Sequence, residues 1–335
     1  MKPASCLLVA LLLAAPPEAR AQPRLPFPVR GSRAAEPTPA ERAYTAGETL
    51  LRQGDYPGAR RRFEEARRLD PRDARAAFYL GEWEFQQGRF AEALPRFAEA
   101  LTLDPTLGEA HAQRGAALRA LGRLPEAVAA LREALRVRPT LGEAHTLLGL
   151  CHEDQGDPAA AAAAYRLAMA RLRDDPNPAL LLATVLVAGN PPAGSPGHTE
   201  ALRALREAVR RADRDAPALS TAGPLLRRLG DAPGAVRALT RARDLSTAPS
   251  AALLGELAQS HAAAGQWPMA QLRVGEAIRA APDDVGLVYL RGLIRAGAGQ
   301  AQAAAGDFRE VVRRAPNDPI GVRARARLTA LGARP

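Results

Sequence analysis

Few residues in this chain have the chemistry to act on a substrate or hold a metal. The most suggestive run is Cys151-His152-Glu153-Asp154, which sets a thiol, an imidazole and two carboxylates side by side. A zinc site needs three or four converging ligands, and no second cysteine or histidine stands at a zinc-like spacing from this run. No G-x-S-x-G elbow, P-loop, H-E-x-x-H helix or dinucleotide glycine fingerprint occurs. Paired carboxylates such as Glu64-Glu65 lie among arginines, the pattern of ion pairs along an exposed helix. The expectation is a chain with no catalytic residues, no metal site and no cofactor: not an enzyme.

Composition indicates the elements that carry these residues. Alanine is abundant, aromatic residues make up 4% and charged residues 24% of the 335 positions. Alanine loses no side-chain entropy in a helix, so this balance favours an all-α fold. The formal net charge is +10, and Lys2 is the sole lysine. The arginines are spread along the chain with aspartates and glutamates interleaved, which reads as a solvated surface and speaks against nucleic acid.

The first 21 residues read as a signal peptide. Lys2 supplies a positive start, Leu7 to Ala15 is apolar, and Ala19-Arg20-Ala21 is an A-x-A cleavage site before Gln22. Nine apolar residues fall short of the ~20 that span a bilayer. Cleavage after Ala21 predicts a periplasmic or secreted protein with Cys151 as its one cysteine, hence no internal disulfide. Residues 22–39 are proline-rich and read as a disordered lead-in. No later segment qualifies as a membrane span, so any membrane association is peripheral and goes through a partner.

Self-similarity organises the rest. Thr106-Leu107-Gly108-Glu109-Ala110-His111 returns as Thr140-Leu141-Gly142-Glu143-Ala144-His145, 34 residues later. With Ala40 as position 1, further repeats start at 74, 108, 142, 176, 216, 251 and 285, with an insertion near 190–197. Position 24 is large and apolar in all of them: Phe63, Phe97, Leu131, Tyr165, Leu205, Leu239, Val274 and Phe308. Position 20 is alanine from Ala59 to Ala304, and position 8 is glycine or alanine from Gly47 to Gly292. Small residues at 8 and 20 let two helices meet, the bulky residue fills the space between them, and a turn glycine such as Gly88 joins them. The fifth repeat is the weakest: its first helix lacks a polar face and its turn holds the insertion, read as a tolerated surface loop.

This pattern resembles the tetratricopeptide repeat family from about Ala40 to Pro316. The resemblance implies a right-handed superhelical solenoid of about eight helix-turn-helix hairpins over 40–317, closed by a capping helix in 318–335. It also implies packing roles for the histidines: His111 and His145 replace an aromatic at position 4, His152 and His261 one at position 11, and His198 lies in the insertion loop. In this family the first helices of successive hairpins line a binding groove. Mapped here, that implies a partner surface at Tyr44, Arg52, Arg75, Phe78, Glu82 and Phe85, suited to a peptide or helix. Position 6 holds Thr45, Tyr79, Gln113 and Leu147, so the asparagine used by chaperone-tail binders is missing. The functional expectation is a protein-protein scaffold of the bacterial envelope. Two other readings stay open: a regulatory subunit of a membrane enzyme or secretion complex, and an arginine-based binder of an anionic polymer.

Overall fold

The computed structural model describes residues 36–333. The expected signal peptide and residues 22–35 of the lead-in lie outside the described residues. Among those described there are seventeen α-helices and no strand. They fall into two compact units, one ending at Leu172 and one beginning at Arg173.

The first unit holds four hairpins: α1 (Pro39–Arg52) with α2 (Tyr56–Leu69), α3 (Ala74–Gln86) with α4 (Phe90–Leu103), α5 (Gly108–Ala120) with α6 (Leu124–Val137), and α7 (Gly142–Asp154) with α8 (Pro158–Arg171). The second holds α9 (Asn177–Ala188) with α10 (Pro196–Arg211), α11 (Ala216–Arg228) with α12 (Ala232–Leu245), α13 (Ala251–Ala263) with α14 (Trp267–Ala280), and α15 (Val285–Gly297) with α16 (Ala301–Arg314). A last helix, α17 (Pro319–Ala330), packs on α16 and α15 as the capping helix. Each unit is an all-α stack of helical hairpins.

The hairpins form for local reasons. Thr38 opens α1 with a reciprocal capping box: its hydroxyl accepts from the Glu41 N–H, and the Glu41 carboxylate accepts from the Thr38 N–H. At the next turn Asp55 accepts from the N–H of Gly58 at 2.9 Å, and Asp157 and Asp231 repeat that cap before α8 and α12. Gly88 sits between α3 and α4 at φ 74°, a region closed to most side chains. In the fifth hairpin Asn190 takes a left-handed φ of 48° just after α9, a conformation asparagine tolerates best after glycine, and Gly194 follows at φ 77° in the longer connection.

The 34-residue register is also the packing register. All eight position-24 side chains are sealed, and so are the position-20 alanines and the alanines three residues after position 24, from Ala66 to Ala277. A Cβ built on Gly81 would come within 2.7 Å of the Phe97 ring, which explains the small residue facing the large one. The apolar first helix of the fifth repeat, α9, has Leu180, Leu181, Leu182 and Val187 buried, so a polar face would have no solvent to meet.

Charge is distributed differently from the even spread expected above. Residues 36–290 contain 32 arginines and 32 carboxylates and are formally neutral, whereas 291–335 contain nine arginines against three carboxylates. The interleaving ends where the last hairpin and the capping helix begin.

Candidate functional site

Two first helices of the first unit, α1 and α3, carry the expected partner surface. Tyr44 and Phe78 are almost wholly buried in the core instead of being presented to a ligand. The Tyr44 ring lies 5.6 Å from Phe63 and 5.9 Å from Tyr79; Phe63 stacks on Tyr79 at 4.6 Å, and Phe78 approaches Phe97 at 6.0 Å. Aromatics from the first two hairpins thus knit to each other, because each bulky group finds its neighbour's ring nearer than water. Burial holds the Tyr44 and Tyr79 hydroxyls protonated well above the ordinary phenol range.

Phe85 stays half-exposed and packs edge-on against Phe90 at 5.1 Å. Arg52 is exposed, with Glu48 3.9 Å away. Arg75 is half-buried, held by Asp73 at 2.5 Å with its guanidinium over the Tyr44 ring. These three and Glu82 are the members of the mapped set that keep accessible surface.

Glu82 is the electrostatic anomaly of this face. Its Oε1 is enclosed and makes no hydrogen bond. Burial pushes its carboxyl up to about 8, and the charge of Glu143 on α7 adds to the shift. A carboxyl in this state is largely neutral at pH 7, and a donor or cation arriving beside it would favour the anion. Elsewhere on the face the charges are matched: Arg119 reaches Asp154 at 2.6 Å, Arg138 pairs with Glu109, and Tyr165 donates to Glu153.

The Cys151-His152-Glu153-Asp154 run is divided among separate jobs. Cys151 is sealed and its thiol is pushed up to about 11 by burial, so it stays protonated. His152 meets the Gln155 amide at 3.2 Å, while Glu153 and Asp154 hold Tyr165 and Arg119. The other histidines also engage single oxygens. His111 contacts the Pro105 carbonyl at 3.2 Å, His145 bonds the equivalent Pro139 carbonyl, and His261 meets Gln266 at 2.6 Å. His198, expected in a loop, lies in the first turn of α10 and reaches the Leu229 carbonyl at 3.1 Å. Each imidazole is spent on tying a hairpin to its neighbour or on closing a turn.

One ionic cluster went unnoticed at the level of sequence. In the second unit Asp307 is buried, and its Oδ1 accepts from Arg291 Nε at 2.9 Å and from Arg295 Nη1 at 2.8 Å. Its signal was a carboxylate at position 23, next to the sealed Phe308, facing arginines spaced i and i+4 on α15.

Comparison with known proteins agrees with this architecture. Residues 44–108, 112–176 and 256–319, more than half of the chain, match the model of the tetratricopeptide repeat family. The unmatched stretch contains α9 to α12, where the repeat is weakest in sequence. No curated protein matches the chain. Among solved structures, Pseudomonas aeruginosa PilF is similar with a TM-score of 0.52 and 20% identity, covering 63% of this chain and 93% of that one. Yeast Tom70 is similar with a TM-score of 0.53 and 14% identity, over 91% of this chain and 66% of that one. At these identities the likeness is one of fold.

Proposed function

The chain belongs to the tetratricopeptide repeat family, and from that premise we propose that it is a non-enzymatic scaffold that binds a protein partner on the first-helix face of its N-terminal unit. The observation that carries this reading is Glu82, whose Oε1 is enclosed on that face without a hydrogen-bond donor. Half-exposed Phe85 gives an apolar anchor on the same helix, and Arg52 and Arg75 supply donors for a partner carboxylate or carbonyl. A peptide or helix bearing an apolar side chain and a lysine or arginine fits this set: the ring takes the anchor, and the cation ionises Glu82. The signal-like residues 1–21 support a site of action in the bacterial envelope, outside the cytoplasm.

A photoreactive amino acid placed at position 85, and for comparison at the exposed position 68 on α2, tests this in an envelope extract. The expected result is one partner crosslinked from position 85, absent from position 68 and lost in Glu82→Lys. A partner crosslinked equally from both positions, or unaffected by Glu82→Lys in a folded variant, moves the site off this face.

A further inference from the structure

The capping helix carries a second interaction surface, independent of the groove. The described chain is neutral through residue 290, so its positive excess belongs to the last hairpin and α17. The three carboxylates of that region are already engaged. Asp307 is buried between Arg291 and Arg295, Glu310 meets Arg291 and Arg314, and Asp318 caps α17 through the Ile320 N–H. Residues 319–335 contain no acidic side chain at all. Arg313, Arg323 and Arg327 are exposed, and none of the three forms an ion pair among the described residues. Arg323 and Arg327 stand one turn apart on α17.

Burial fixes which way α17 faces. Gly321, Ala324 and Leu328 are sealed, and Ile320 and Leu331 pack into the same cluster with Val288 and Phe308. The outward face presents Val322, Ala326 and Ala330, spaced by four residues, with arginines beside them. This outward row is small and apolar, so another helix can approach closely along it.

We propose that α17 and the end of α16 form a docking surface for an acidic α-helical segment of a partner protein. The partner's backbone would lie along Val322, Ala326 and Ala330, with its carboxylates meeting Arg313, Arg323 and Arg327. The chemistry favours a polypeptide over other polyanions. Membrane-surface helices embed tryptophan, phenylalanine or leucine, yet the one leucine of α17, Leu328, is buried and its outward face offers only Val322 and alanines. Single-stranded nucleic acid is held in large part by stacking on aromatic rings, and residues 309–335 contain none.

The test measures binding of poly-L-glutamate to the signal-less chain over a salt series. Its variants are Arg313→Gln/Arg323→Gln/Arg327→Gln and a charge-matched control, Arg61→Gln/Arg68→Gln/Arg132→Gln, drawn from exposed arginines of the neutral region. Far-UV circular dichroism confirms that both fold. The expected result is salt-sensitive binding by wild type, a fall of tenfold or more in the C-terminal variant, and less than a twofold change in the control. An equal fall in both variants overturns the proposal in favour of bulk charge. Binding unchanged in the C-terminal variant, or wild type binding phosphatidylglycerol vesicles but not poly-L-glutamate, overturns it too.

Discussion

The guanidinium carbon of Arg75 lies 4.1 Å from the centre of the Tyr44 ring, joining the first helices of two successive hairpins through a cation over an aromatic face. Asp73 holds the other side of the guanidinium, so the contact is pre-positioned. Arg75→Gln should cost about 0.5–2 kcal/mol, the range for a cation over a ring with partial desolvation. Urea denaturation checks it, with Tyr44→Phe as the control that keeps a ring beneath the cation. A loss as large in Tyr44→Phe as in Arg75→Gln would assign the energy to the phenol hydroxyl.

Phe97 is sealed between α3 and α4, with Gly81 directly under its ring. Phe97→Ala should destabilise the first unit by about 3–5 kcal/mol, because the neighbouring rings cannot collapse fully into the space. Hydrogen exchange of α3 and α4 amides is the preferred readout, since an array need not unfold in a single step. Unchanged protection of those helices would contradict the packing described here.

Asp307 is 3% exposed and bridges two arginines that keep about a quarter to a third of their surface in water. Asp307→Ala leaves two guanidiniums without their shared partner. Partial solvation of both places the expected cost at the low end of the ~3–5 kcal/mol seen when one member of a buried pair is removed. Thermal unfolding of this variant beside Arg295→Met measures it. A melting temperature unchanged in Asp307→Ala would show the cluster to be energetically idle.

Glu82 sets a pH dependence with a definite sign. Its folded-state carboxyl is pushed up to about 8, above the ordinary range near 4.5, so the folded chain holds a proton that the unfolded chain releases earlier. Its contribution to stability is fully present below the unfolded value and is lost as pH rises through about 8. Stability should therefore decline between those limits, by at most about 1.4 kcal/mol per pH unit from this group. Glu82→Gln removes the decline, and denaturation midpoints at pH 5 and pH 9 compare the two chains. Parallel curves would mean that water reaches the carboxylate.

The histidines and the partner face were only partly legible in the chain. Position 4 marks His111 and His145 as packing residues, and the structure places each beside the carbonyl of the proline six residues before it, Pro105 and Pro139. Nothing local showed that His198 reaches Leu229, a contact made across 31 residues. Tyr44 and Phe78 occupy positions that the repeat assigns to the groove. Their burial depends on the rings that happen to stand at Phe63, Tyr79 and Phe97, a matter of neighbours in space.

By itself the sequence determined the all-helical hairpin, the 34-residue register and the sealed identity of positions 20 and 24. Each of these follows from side-chain size and backbone freedom repeated at one spacing, and every copy reports the same local geometry. Tertiary structure alone decided which groove residues keep accessible surface, that the Glu82 Oε1 is enclosed without a donor, and that Asp307 is shared by two arginines. Those outcomes depend on desolvation and on distances between side chains from different helices, which spacing along the chain does not encode.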